Sequence, residues 1–463
     1  MTGVRSLTAD ALADLRAGLP EDAVLANPGT AESYRFDEAK FCPAGVPAVV
    51  VRPTTTEQIQ HVMRVASARG ISVVPQGARS GLSGAANAVD DCIVLSLTRM
   101  DRIVGIDLDN QVAVVEPGVV NATLSRAVAE HGLFYPPDPS SWEWSTIGGN
   151  IATNAGGLCC VKYGVTGDFV RALEVVLADG EVLRTGRRTA KGVAGYDLTS
   201  LMVGSEGTLG VITEATLELR PAAEEALTIT AVFASAHDAL EAVTRIMAGR
   251  ARPSMLEFLD GTTIRAVQAY RDMGLPASAG ALLLVQSDRG AEAASDVATY
   301  GGICREAGAL EVAEATDAKE SAMLLEARRL VNPAVDQLGA TLVDDIAVPR
   351  SRLGDLLRGI EEIAAQHAVM IACPGHAGDG NMHPTVIFER GEADAEDRAE
   401  QAFEAIMDLG LSLGGTITGE HGVGVLKRSW LRRELGPLST RIQTEIKATF
   451  DPAGLLNPGK VLS

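Results

Sequence analysis

No window of this 463-residue sequence approaches the ~18 consecutive apolar side chains that a membrane-crossing helix needs, so no integral membrane segment is expected. The opening MTGVRSLTADALADLRAGLP lacks the apolar run of a secretory signal and reads as an amphipathic helix of mixed charge. Cysteine is sparse. The six, at 42, 92, 159, 160, 304 and 373, form no C-x-x-C pair, and adjacent Cys159 and Cys160 are poorly placed to bridge each other. Buried free thiols in a reducing compartment are the expectation, and with them a cytoplasmic location or one peripheral to a membrane. No cysteine spacing suits an iron–sulfur cluster. Basic residues are outnumbered: 40 Lys and Arg against 60 Asp and Glu leave a net charge of −20, which argues against a nucleic-acid partner, because phosphate contacts need clustered cations. There is no repeat with a period of roughly 20–50 residues and no low-complexity segment.

What the sequence has in excess is glycine: 48 residues, about one in ten against a usual ~7%. They cluster at 77–84, 148–157, 204–210, 375–380 and 414–424. Glycine between strand-like runs lets a main chain approach a ligand closely. PAVVVRPTTTEQIQHVMRVASARGISVVPQG reads as strand, helix, strand, with Thr56 as helix cap, Ile59, Val62, Met63 and Ala66 on one face and Gly70 as terminator. CIVLSL and QVAVVEPG are further strands. VNATLSRAVAEHG is a short helix with Asn121 as a cap. RALEVVLADGEVLRTG is a hairpin turning at Asp179-Gly180. After residue 221 the glycine clusters stop for about 150 residues and alanine-rich helices alternate with strands such as LTITAVF and ALLLVQS, which makes 221 the best domain boundary.

Three glycine-rich stretches could serve a dinucleotide. PQGARSGLSGAA follows the strand ISVV and offers backbone N–H groups and hydroxyls to a pyrophosphate. It is neither of the two common nucleotide fingerprints. PPDPSSWEWSTIGGNIATNAGG leaves room for a flat ring beside amide donors, and GSEGTLGVIT adds a third turn. Each alone could be an ordinary structural turn.

Histidine is scarce, at seven residues, yet three fall in CPGHAGDGNMHP (373–384) and TGEHGVGVLKR (418–428). A turn across AGDGNM can converge His376 and His383, and Glu420 could add a carboxylate. Two imidazoles and a carboxylate leave open positions, as catalytic divalent metals require. Zinc is the first expectation, with manganese or iron(II) as alternatives. The competing reading is histidines that merely satisfy core hydrogen bonds. His421 is then a neighbouring titratable group, of a residue type whose ordinary pKa of ~6.5 suits a base near neutrality. LLEARRLVNPAV places Arg328 and Arg329 on a helix, where an arginine could grip a carboxylate through two parallel hydrogen bonds; a solvated helix face is the alternative for either. Lys427 and Arg428 read as surface charge.

In this order the three glycine-rich stretches, from VVVRPTTTEQI to GLLNPGKVL, resemble the FAD-binding domain of the vanillyl-alcohol oxidase/p-cresol methylhydroxylase superfamily. The subgroup is the FAD-linked 2-hydroxy-acid dehydrogenases of the D-lactate, D-2-hydroxyglutarate and glycolate type. The resemblance implies an α+β fold class. A two-subdomain FAD-binding domain would span 1–220. An α+β substrate or cap domain with an antiparallel sheet and the metal site would span 221–424, and residues 425–463 would return to the FAD domain. Pro75, Gly77, Ala78, Arg79, Ser80, Gly81, Ser83 and Gly84 would hold the pyrophosphate. Pro137, Asp138, Ser141, Thr146, Gly148, Gly149, Asn150, Ala152, Thr153 and Gly156 would line the flavin and ribityl chain. Glu206, Gly207, Gly210 and Ile212 would lie at the adenosine end, and Asn457 would return to the flavin. RSGLSG contains no histidine, so FAD is expected to be non-covalent. His376, His383 and Glu420 map to metal ligands, His421 to the base that takes the hydroxyl proton, and Arg328 to the substrate anchor. The implied reaction is oxidation of a small 2-hydroxy acid by hydride transfer to flavin N5, with electrons leaving to an external acceptor such as an electron-transfer protein, quinone or cytochrome. A homodimer is one assembly to expect. Val343 and Thr385 stand where the D-2-hydroxyglutarate enzymes carry lysine and asparagine, which favours a smaller or more apolar substrate. Rival readings are a synthase of the alkylglycerone-phosphate type, a metal hydrolase acting on a nucleotide, and a flavoprotein subunit of a multi-subunit glycolate oxidase.

Overall fold

The computed structural model describes residues 7–462 apart from 40, 190 and 277. The first six residues of the expected N-terminal helix lie outside the described residues; within them a helix spans Ala9–Ala17, its N-terminus capped by Thr8. The chain forms two α+β units. One comprises Met1–Gly156, Val165–Ala222 and Glu420–Ser463, the other Gly157–Gly164 and Ala223–Gly419. Residues 420–424, assigned above to the substrate domain, stand in the first unit.

The first unit holds two principal sheets. In the smaller, Val24–Leu25, Val49–Val51, Ile93–Ser96 and Val73–Gln76 lie side by side in that order, the last three mutually parallel. Parallel strands are covered on both faces, which is why VVV and IVLS are wholly buried and apolar but for Ser96. The helix Thr56–Arg69 covers this sheet, burying Ile59, Val62, Met63 and Ala66 in one cluster with Val49, Val73 and Ile93; each such side chain contributes about 1.5–3 kcal/mol. Its cap is Thr55, one residue before the expected Thr56. Thr55 has extended backbone and accepts from Gln58 N, whereas Thr56 is already helical and donates its hydroxyl to Glu174. The expected cap Asn121 is likewise inside its helix, Asn121–Ala129, and its amide donates to the Pro137 carbonyl at 3.0 Å. The larger sheet is antiparallel, in the order Ile103–Asp107, Val112–Val115, Val211–Glu218, Val170–Val176, Val182–Gly186. Its last pair is the Asp179-Gly180 hairpin. The C-terminal helix Arg428–Phe450 breaks at Gly436, ahead of Pro437.

The second unit is built on a seven-stranded antiparallel sheet: Glu311–Glu314, Leu227–Phe233, Ala281–Ser287, Met255–Asp260, Gly375–His376, Asn381–Met382, Ile346–Ala347. Met255–Asp260 is buried at every position, so the two acids within MLEFLD must find partners inside the protein. A three-stranded sheet, Ala340–Val343, Thr385–Phe388, Met370–Ala372, packs with the helices Leu353–His367 and Ala395–Ser412. All six cysteines are free; Cys159 and Cys160 are only half-buried, short of the buried state expected of them.

Candidate active site

In the first unit the strand Val73–Gln76 runs straight into the Gly77–Gly84 loop. A Cβ on Gly77 would be driven into Thr146 Oγ1. Thr146 caps the helix Ile147–Thr153, so the loop and the GGN helix start meet where only glycine fits. Asn457 ties the same region together. Its amide donates to the carbonyls of Ala85 (2.9 Å) and Glu206 (2.7 Å), and its backbone N–H to Val73. Gln76 donates to the carbonyls of Tyr34 and Ala86. Arg79 donates to the Ser33 carbonyl and lies over the Tyr34 ring at 4.7 Å. Gly210 immediately precedes the strand Val211–Glu218 of the larger sheet, where Ile212 is paired with Val175.

Glu206 is nine-tenths buried with φ +50, and its two oxygens accept from the Val423 (2.7 Å) and Gly424 (2.8 Å) N–H groups. Its carboxylate therefore holds the loop after His421. Burial pushes its pKa up to about 7, against the pull of those amides. The Ser83 carbonyl accepts from Val425 and Leu426, and a Cβ on Gly156 would be driven into the Glu420 carboxylate. His421 Nε2 lies 3.8 Å from Glu420 Oε1. Lys427, read above as surface charge, is 1% exposed. It caps the last helix within the first unit, and its aliphatic stem is taken out of water with that turn. Arg428 is half-buried and donates to the Gly459 carbonyl.

Several buried polar atoms on these segments have no hydrogen-bond partner among the described residues: Gln76 Oε1, Ser83 Oγ, Ser145 Oγ, Asn150 Nδ2 and Asn457 Oδ1. Buried polar groups are nearly always paired. Hydroxyls, an amide donor and amide acceptors gathered on the loops 76–84 and 145–150 and on Asn457 fit the pyrophosphate and heteroaromatic edge of FAD.

In the second unit, Asp379 N–H donates to the His376 carbonyl and closes a tight turn. The strands either side pair His376 with Asn381. The imidazoles of His376 and His383 stand 5.1 Å apart between centroids and nearly perpendicular. The antiparallel register that sets Phe258 opposite Gly375 carries Glu257 alongside His376. Glu257 Oε1 lies 2.7 Å from His376 Nδ1, and Oε2 accepts from Arg328 Nε at 2.7 Å. Burial alone would raise the Glu257 carboxyl; His376 and Arg328 outweigh it and hold it below the ordinary carboxylate range. Asp345 stands near the other ring at longer range, its Oδ1 3.7 Å from His383 Nδ1 and beyond hydrogen-bond distance. Asp345 is itself held by Asn381, Thr418 and the Gly419 N–H. Arg328 sits on the short helix Glu326–Arg329 with its side chain 11% exposed, while Arg329 on the same helix is exposed.

Sequence reasoning passed over Glu257, Asp345 and Gln76. Two left a trace: an acid in mid-strand within MLEFLD, and the acid pair of LVDDIAV.

The architecture is that of the vanillyl-alcohol oxidase/p-cresol methylhydroxylase flavoproteins. p-Cresol methylhydroxylase with substrate bound superimposes with a TM-score of 0.82 over 99% of this chain and 98% of its own, at 18% identity. Residues 47–186 match a family model described as an FAD binding domain, and 222–461 one described as FAD linked oxidases, C-terminal domain. The glycolate oxidase subunit GlcD of Bacillus subtilis is 43% identical over 90% of this chain and 89% of its own. A D-lactate dehydrogenase of Archaeoglobus fulgidus is 36% identical over 93% and 96%. The chain belongs to the FAD-linked oxidase family of enzymes and carries that family's FAD-binding domain.

Proposed function

We propose that the chain is an FAD-dependent dehydrogenase that oxidises a 2-hydroxy acid, such as D-lactate or glycolate, to the 2-oxo acid and passes the electrons to an external acceptor. The observation that carries this reading is the pair of histidines on one hairpin, each with a buried carboxylate near its Nδ1, the first sharing that carboxylate with an arginine. A carboxylate on Nδ1 is what orients a metal-bound imidazole, leaving Nε2 for the cation. The names of the relatives, a glycolate oxidase subunit and a D-lactate dehydrogenase, support the substrate class.

Bound FAD supplies a two-electron acceptor. It is held without a covalent link, since no histidine stands in the Gly77–Gly84 loop. His376, His383 and Glu420 hold a divalent cation, zinc or alternatively manganese or iron(II), whose contribution is Lewis acidity toward the substrate hydroxyl. Arg328 binds the substrate carboxylate, its Nε already fixed by Glu257. His421 takes the hydroxyl proton. Val343 and Thr385 are direct partners across neighbouring strands. Neither offers a charge to a second carboxylate, which favours a small or apolar 2-hydroxy acid. Purified protein should be yellow and should reduce an artificial dye with one of a panel of D- and L-2-hydroxy acids. Colourless protein that takes up no added FAD would end this reading. Relatives named as subunits favour a second one, in which the chain works only beside partner proteins; dye reduction by the chain alone would reject it.

A further inference from the structure

Glu257 stands in no motif, yet it is a wholly enclosed charged group, at 0% exposure in the middle of the second unit's sheet. It makes two bonds of equal length to two residues of different proposed duty. Resting on the function proposed above, we infer that Glu257 is a positioning residue that sets the cation ligand His376 and the substrate anchor Arg328 with a single carboxylate. Oε1 accepts from His376 Nδ1–H, which fixes the tautomer and turns Nε2 to the cation. Oε2 accepts from Arg328 Nε, which orients the guanidinium and leaves its two Nη groups for the substrate carboxylate.

The geometry requires a carboxylate at this point. Both partners donate, and only a group that accepts at both ends satisfies them together. Glutamine has one acceptor and one donor, so it can serve one partner only by turning an NH2 on the other. Strand register, rather than side-chain flexibility, brings Glu257 to His376, whereas Asp345, near the second imidazole, accepts from Asn381, Thr418 and the Gly419 N–H. The two histidines thus stand differently: His383 near a carboxylate anchored to the backbone and side chains of its own neighbourhood, His376 bonded to one that also carries the substrate anchor.

The test is Glu257→Gln and Glu257→Asp in the full-length, flavin-loaded protein. Zn²⁺ affinity is titrated against a competing chelator after metal stripping, and the KM for the 2-hydroxy acid is read with a dye acceptor. Flavin content and unfolding temperature serve as controls. For Glu257→Gln, Zn²⁺ affinity should fall about 10- to 100-fold, the usual cost of losing such an outer carboxylate, and KM should rise at least about tenfold, with flavin content as in the wild type. Arg328→Ala should add less to KM in the Glu257→Gln background than in the wild type, because residues acting through one contact are not additive. Glu257→Asp keeps the charge on a shorter stem and should recover part of the Zn²⁺ affinity; it carries the test should the Gln variant unfold. A folded Gln variant with wild-type Zn²⁺ affinity and KM overturns the inference. Wild-type protein that takes up no divalent cation overturns instead the metal set proposed above, and Glu257 then stands or falls on KM alone.

Discussion

The duties proposed for His421 and Arg328 are separable, and each has its own measurement. Removing a positioned proton acceptor costs about 10²- to 10⁴-fold. His421→Ala should therefore cut turnover by that order while flavin absorbance per chain stays at the wild-type level; equal turnover would assign the proton to another group. Arg328 offers charge-assisted hydrogen bonds of about 1.5–3 kcal/mol each, so Arg328→Ala should raise KM about 10- to 100-fold in a dye-linked assay. An unchanged KM would move the anchor elsewhere. Stability should also drop, because the variant leaves the wholly buried Glu257 with His376 alone. Glu206 gives a pH signature. Its pKa stands at about 7 in the folded chain against 4.5 for an ordinary glutamate, so the folded state binds the proton more tightly than the unfolded one. That stabilisation is complete below about pH 4.5 and is lost as pH rises through 7, a swing on the order of 3 kcal/mol. Glu206→Gln titrates nowhere in this range, so its unfolding temperature should fall less than the wild type's between about pH 5 and pH 7. The amide's poorer fit to the Val423 and Gly424 N–H groups lowers both ends equally. Parallel curves would show that Glu206 does not control this slope.

At the scale of elements, local chemistry was readable and register was not. The helix Thr56–Arg69 showed in its apolar spacing, the 170–186 hairpin in Asp179-Gly180, and the 375–383 hairpin in a glycine-rich turn between two rare histidines. The helix caps slipped because adjacent threonines look alike in sequence and only the backbone decides which is extended. Glu257 was invisible for a deeper reason: it meets His376 through a pairing of strands 119 residues apart, and no local pattern encodes which strand lies beside which. Lys427 was misjudged because a long charged side chain can be enclosed by a turn whose packing depends on distant segments. The elements of the flavin cradle can be tested at their tightest point. Gly77→Ala places a methyl against Thr146 Oγ1, the cap of Ile147–Thr153, and Gly77→Val more. Flavin content should fall in that order, measured as the ratio of flavin to protein absorbance; full flavin in the valine variant would remove this loop from the cradle.

At the scale of the whole molecule, the chain passes between its two units at four points, after Gly156, Gly164, Ala222 and Gly419. The segments that fit FAD all belong to the first unit; the histidine hairpin with Glu257, Asp345 and Arg328 belongs to the second. Glu420, the third proposed cation ligand, stands in the first unit, yet the two proposed supports share no residue, so loss of one ligand need not release the other. Glu257 bonds the His376 imidazole directly and Asp345 lies 3.7 Å from that of His383 without a cation, so the second unit should keep its fold when metal is withdrawn. Chelation followed by removal of the chelator should abolish dye reduction and leave the flavin spectrum and the unfolding transition nearly unchanged. Stoichiometric Zn²⁺ or Mn²⁺ should restore turnover, and in Glu257→Gln restoration should need a higher concentration of the same ion. Flavin lost together with the metal would mean that the two supports are not distinct, and turnover indifferent to chelation would leave His376, His383 and Glu420 without a cation to hold.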